Sequence, residues 1–125
     1  MTAYLLVFLG GGIGAALRHG TNLLSARLLG IGFPFGTLTV NIVGSLLMGL
    51  LAGYFAFRGE ASQHLRLFLT TGILGGYTTF SAFSLDAVLL WERHQPGLAA
   101  LYVLASVVLS IAALMAGLML VRHVS

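Results

Sequence analysis

Four apolar stretches, at about residues 2–29, 35–57, 65–91 and 98–121, are separated by short polar or glycine-rich loops. This pattern restricts the fold more than any single motif. Each stretch has the roughly 20 residues that carry an α-helix across a hydrocarbon core of about 30 Å. In that medium every backbone N–H and C=O needs a partner, and a lone span satisfies this as a helix. Charged residues make up 7% of the chain and apolar residues 58%. A soluble domain carries about 25% charged residues, so that class is excluded. The expected architecture is an all-α integral membrane protein with four transmembrane helices. They form a single domain over residues 1–125, with no room for a soluble part.

The loops carry the punctuation. Gly30-Ile31-Gly32-Phe33-Pro34 reads as a turn, with Pro34 suited to the start of the second helix. Ser62 is placed to cap the third helix, after the polar run Arg58 to His64. Trp91 stands at an interfacial position, before the Glu92-Arg93-His94-Gln95-Pro96-Gly97 loop. The first 25 residues lack the basic start of a signal peptide, and their apolar run is too long for one. There is no cysteine, so disulfides are excluded. The net charge of +3 comes from scattered arginines near segment ends, which argues against a nucleic-acid surface. Four helices make a thin bundle. Ser45, Gly49 and Gly53, at small-xxx-small spacing, let helices approach closely, and an oligomer is expected.

Residues 72–84 form the most irregular part of any span. Gly75-Gly76-Tyr77-Thr78-Thr79 joins two glycines to a β-branched pair, a poor helix near the middle of the third segment. Two readings fit. One is a broken helix whose opened backbone is buried in protein, lines water or holds an ion. The other is a continuous, glycine-rich helix packed closely on a neighbour.

An even number of spans puts both termini on one side, with Arg58, Arg66 and Arg122. Arg27 and Arg93 fall on the other side, and Arg18 lies within a span. The near balance gives the positive-inside rule little to act on. Insertion in both orientations follows, with an antiparallel homodimer as the natural assembly. The competing reading is one orientation set by the small excess.

The few polar side chains within the spans line up. Thr37, Asn41 and Ser45 share a face of the second helix, and Tyr102, Ser106 and Ser110 share one of the fourth. Phe80, Ser81, Phe83 and Ser84 follow the irregular stretch. A lone serine commonly bonds its own i−4 carbonyl, and a lone asparagine can simply join two helices. Aligned triplets favour a path. These groups are donors: hydroxyls, a carboxamide and the positive edges of two phenylalanine rings. They suit a small anion bound weakly enough to leave again. The plain alternative for the phenylalanines is core or lipid packing, and for Arg18 it is snorkelling to the interface. Asp86 is the one acidic residue well inside a span. A proton-coupled exporter of the multidrug type needs such a carboxylate and is the alternative function. Opened carbonyls of Gly75 and Thr78, two from each subunit of an antiparallel dimer, would make a four-oxygen cation site. No grouping of nucleophile, base and acid suggests an enzyme.

Three motifs carry a family resemblance. Gly14-Ala15-Ala16-Leu17-Arg18, Phe35-Gly36-Thr37-Leu38-Thr39-Val40-Asn41-Ile42-Val43-Gly44 and Gly75-Gly76-Tyr77-Thr78-Thr79-Phe80-Ser81-Ala82-Phe83-Ser84 resemble those of the Fluc (CrcB) fluoride channels, in order and at family-like spacing. The resemblance implies a passive fluoride-selective channel that exports toxic fluoride across the bacterial inner membrane. It implies an antiparallel dual-topology dimer with two pores and a central structural sodium ion held by the Gly75 and Thr78 carbonyls. By position, Asn41, Phe80 and Phe83 resemble pore residues, with Ser81 and Ser84 beside them. Tyr102, Ser106 and Ser110 resemble a polar track on the fourth helix, and Thr37 and Arg18 resemble vestibule groups. Two positions depart from the usual pattern. Ala82 replaces a threonine, and His19 stands where an aromatic often follows the arginine.

Overall fold

The computed structural model describes residues 1–58 and 62–124, apart from the side chains of Phe57 and Arg58. The loop expected over residues 58–64 therefore lies partly outside the described residues. Helix α1 spans Thr2–Leu29 and stops at Gly30, whose φ of 85° only glycine adopts freely. Helix α2 spans Phe35–Arg58, and Pro34 accepts its first helical hydrogen bond, from Leu38 N–H. Helix α3, Gln63–Arg66, is capped by the Ser62 hydroxyl, which accepts from Leu65 N–H at 3.1 Å. It runs into a π-helical segment, Leu67–Leu74, and the short α4, Gly75–Tyr77. Helix α5 covers Phe80–Glu92 and α6 covers Pro96–Val124, with proline at the first helical position.

The described residues are helical with short connections and contain no strand. Three helical stretches are long and apolar enough to cross a membrane: Phe35–Ala56, Gln63–Glu92 and Pro96–Val124. At 28 residues α1 has the length but is not among the three. Its glycines, Arg18 and His19 dilute its apolar character.

Helix α2 packs along α6, and α1 packs along the π segment, α4 and α2. The contacts are backbone to backbone. A Cβ on Gly117 of α6 would stand 2.6 Å from Leu46 C=O of α2. A Cβ on Gly10 of α1 would stand 2.8 Å from Phe68 C=O in the π segment. Small residues therefore set the interhelical distance.

The third span is broken, at Thr78 and Thr79. Both are extended, with φ and ψ of −84° and 159° and of −154° and 122°. The glycines expected to loosen this stretch do not. Gly75 is helical, at φ −62° and ψ −37°, and a Cβ on Gly76 would meet the Gly11 backbone of α1. Glycine here serves close packing, and the β-branched pair carries the break. The break redirects the chain. The arm before it packs on α1, and α5 after it packs on α6. Phe83, Leu90, Ala99 and Tyr102 make the buried core between α5 and α6.

Candidate ion-binding groove

The break opens a groove of about 310 Å³ on the α6 side of the bundle. Helix α2 contributes Asn41 and Ser45, the break Thr78 and Thr79, α5 Phe80 and Phe83, and α6 Ser106 and Ser110. The four-residue spacings on α2 and α6 put these groups on facing stripes. The Oγ atoms of Ser106 and Ser110 are buried without a hydrogen-bond partner. They are not back-bonded, unlike Ser84, whose hydroxyl donates to Phe80 C=O at 3.0 Å. Unspent donors in an apolar setting are costly unless something in the groove accepts from them. The rings of Phe80 and Phe83 stand 5.5 Å apart at 54°. Phe83 is buried, and Phe80 forms the outer edge, 77% exposed.

Asn41 reaches across to the break. Its Nδ2 donates to Thr79 C=O at 3.1 Å, and its Oδ1 accepts from Thr79 N–H at 2.9 Å. The amide nitrogen carries two hydrogens, so one is left for the groove. Thr79 also caps α5, its Oγ1 accepting from Ala82 N–H at 3.1 Å. These bonds divert the two donors that a continuous helix would offer to Gly75 C=O and Thr78 C=O. The backbone oxygens singled out as cation ligands thus fit that use. They belong to the redirected part of the third span, and Gly75 is exposed on the chain's surface.

A second cavity, of about 290 Å³, lies beyond the groove at the end of the bundle that holds the Gly30 to Pro34 turn. Thr37, Asn22, Asp86 and Arg93 line it. Tyr102 is fully buried and donates to Asp86 Oδ2 at 3.2 Å.

Of the side chains singled out by sequence, the groove gathers Asn41, Phe80, Phe83, Ser106 and Ser110, while Thr37 lines the second cavity. Ser81 and Ser84 line neither cavity. Ser81 Oγ lies 3.4 Å from Thr79 Oγ1. Arg18 is half-buried on α1 and also lines neither. Thr79 was missed as a groove residue. Its signal is that of an N-cap, a threonine directly before the apolar run of α5.

Membrane-crossing helices around a donor-lined groove define a multi-pass membrane protein. The chain belongs to the CrcB-like (Camphor Resistance, CrcB) family, whose model matches residues 5–118. It is 67% identical over 122 residues to "Fluoride-specific ion channel FluC" of Rhodopseudomonas palustris (strain BisB5), covering 98% of each chain. It is 62% identical over 122 residues to "Fluoride-specific ion channel FluC 2" of Nitrobacter hamburgensis, again covering 98% of each. A third relative, "Fluoride-specific ion channel FluC" of Granulibacter bethesdensis, is 56% identical over 98% of this chain and 96% of its own.

Proposed function

We propose that this protein is a passive fluoride-selective channel of the bacterial inner membrane, exporting fluoride from the cytoplasm and so relieving its toxicity. The observation that carries the reading is the pair of buried, unpartnered hydroxyls on Ser106 and Ser110 in the groove with Asn41, Phe80 and Phe83. Hydroxyl and amide donors and ring edges bind a small, strongly accepting anion without a fixed positive charge to trap it. The names of the relatives support the same ion.

The working unit is an antiparallel dual-topology homodimer with two pores, supported by the near balance of arginines between the two ends of the chain. A C-terminal tag then becomes accessible from both sides of the membrane. Accessibility from one side alone contradicts it. A structural sodium ion at the dimer centre would be held by the Gly75 and Thr78 carbonyls, whose usual helical donors are spent on Asn41 and Thr79. Such an ion supplies positive potential near the anion path.

A proton-coupled exporter would need a carboxylate on the path to carry the proton. Asp86 is the one embedded carboxylate of the sequence, and it accepts from Tyr102. Fluoride efflux from liposomes holding the purified protein, with chloride as control and no pH gradient, tests the channel reading.

A further inference from the structure

The groove and the second cavity succeed one another along three helices at the same level. On α2 the lining passes from Asn41 to Thr37, and on α5 from Phe83 to Asp86. On α6 the residue one turn beyond Ser106 at this level is Tyr102. Its ring lies 5.3 Å from Phe83 on the groove side and 5.5 Å, edge to face, from Phe33, which lines the second cavity. Tyr102 is 0% exposed and lines neither space, so it is the partition between them.

A phenol has one hydrogen to donate. Here it goes to Asp86 Oδ2 at 3.2 Å. An anion that has reached Ser106 therefore meets a closed ring, a donor already in use and a carboxylate of its own sign. Two residues of opposite preference for an anion share one hydrogen between the two spaces.

Resting on the fluoride-channel reading, we propose that the Tyr102–Asp86 hydrogen bond is a selectivity latch. Fluoride passes by replacing Asp86 as the acceptor of the Tyr102 hydrogen, and an anion that accepts hydrogen bonds weakly, such as chloride, does not. The O–H bond itself stays intact; only its acceptor changes. Asp86 faces the second cavity, which has room for water, so the released carboxylate is hydrated there. The competitor sets the threshold: an ion must accept better than a carboxylate in place. Asp86 is thus a positioning residue, acting on the anion through Tyr102.

The test uses the full chain in liposomes, with fluoride and chloride efflux measured on the same preparations. Asp86→Asn keeps the shape and removes the charged acceptor. It is expected to lower the fluoride-to-chloride ratio by about tenfold, the scale of one charge-assisted hydrogen bond. Asp86→Ser, a second variant, is expected to shift the ratio the same way. Tyr102→Phe removes the shared hydrogen. Adding Asp86→Asn to it is expected to change the ratio by less than about twofold, because coupled residues are not additive. An unchanged ratio in both Asp86 variants, their loss of fluoride flux while Tyr102→Phe conducts, or an equal effect of Asp86→Asn with and without the Tyr102 hydroxyl overturns the latch. Absence of fluoride flux in the unaltered protein overturns the channel reading and the latch with it. Fluoride flux in the unaltered protein together with any of the three variant results overturns the latch alone.

Discussion

Asn41 and Thr79, 38 positions apart in sequence, form a closed two-bond pair between a side-chain amide and a broken backbone. The amide pairs both backbone groups of Thr79, so this residue of the break keeps a partner for its N–H and its C=O at membrane depth. The residue chosen as an anion donor is therefore also the brace of the third span.

That double role separates two substitutions. Asn41→Asp still accepts from Thr79 N–H but turns a carboxylate toward Thr79 C=O and toward the anion path. Fluoride flux is expected to fall at least about tenfold, since like charge opposes entry of the ion. Asn41→Leu leaves both Thr79 groups unpaired and is expected to destabilise the fold by about 2–6 kcal/mol, at roughly 1–3 kcal/mol per group. Thermal unfolding in detergent, beside efflux, checks both. Wild-type flux in Asn41→Asp contradicts the pore role.

The cap on α5 gives a milder case. Thr79→Val keeps the β-branched shape and loses the oxygen that accepts from Ala82 N–H. The expected cost is about 1 kcal/mol, and Thr79→Ser should restore most of it. Equal unfolding midpoints for the two variants contradict the cap.

Helix α1 offers a matched pair of glycines. A Cβ on Gly14 would run into Ile73 C=O and stand 2.8 Å from Tyr77 N, whereas Gly12 has nothing within 4 Å. Gly14→Ala should therefore force α1 from the third span and cost about 1–3 kcal/mol. Gly12→Ala should be neutral or stabilising by up to about 1 kcal/mol, because alanine favours the helix. Similar unfolding curves for the two variants contradict the close packing.

His94 holds a φ of 61°, just after α5, where its N–H bonds Trp91 C=O and Gln95 N–H bonds Leu90 C=O. A left-handed position favours glycine by about 1–2 kcal/mol. His94→Gly is expected to raise the unfolding midpoint and leave fluoride flux unchanged, because His94 lines neither the groove nor the second cavity. A lowered midpoint contradicts the assignment of that turn.

Much of the groove was legible because the helical period is rigid. Asn41 with Ser45, and Ser106 with Ser110, share a groove for the reason their spacing suggests. Ser81 and Ser84 line neither space, and the same period gives the reason. Phe80 and Phe83, three apart, share a face, and each serine sits about 100° further around the helix. Adjacency in sequence had grouped them with the rings. The π segment left no mark, because Leu67–Leu74 is an apolar run with no period to read. The position of the break depended on a contact 38 residues away, and the Tyr102–Asp86 bond on the meeting of α5 and α6. Local pattern does not contain either contact.

The most direct measurement of the central claim is anion efflux from liposomes containing the purified full chain, with potassium and valinomycin clamping the voltage and equal pH on both sides. The account predicts rapid fluoride release that needs no pH gradient, chloride release indistinguishable from that of protein-free vesicles, and slowed fluoride release when Ser106 and Ser110 are both replaced by valine. Absent fluoride release, or chloride release as fast as fluoride, contradicts it.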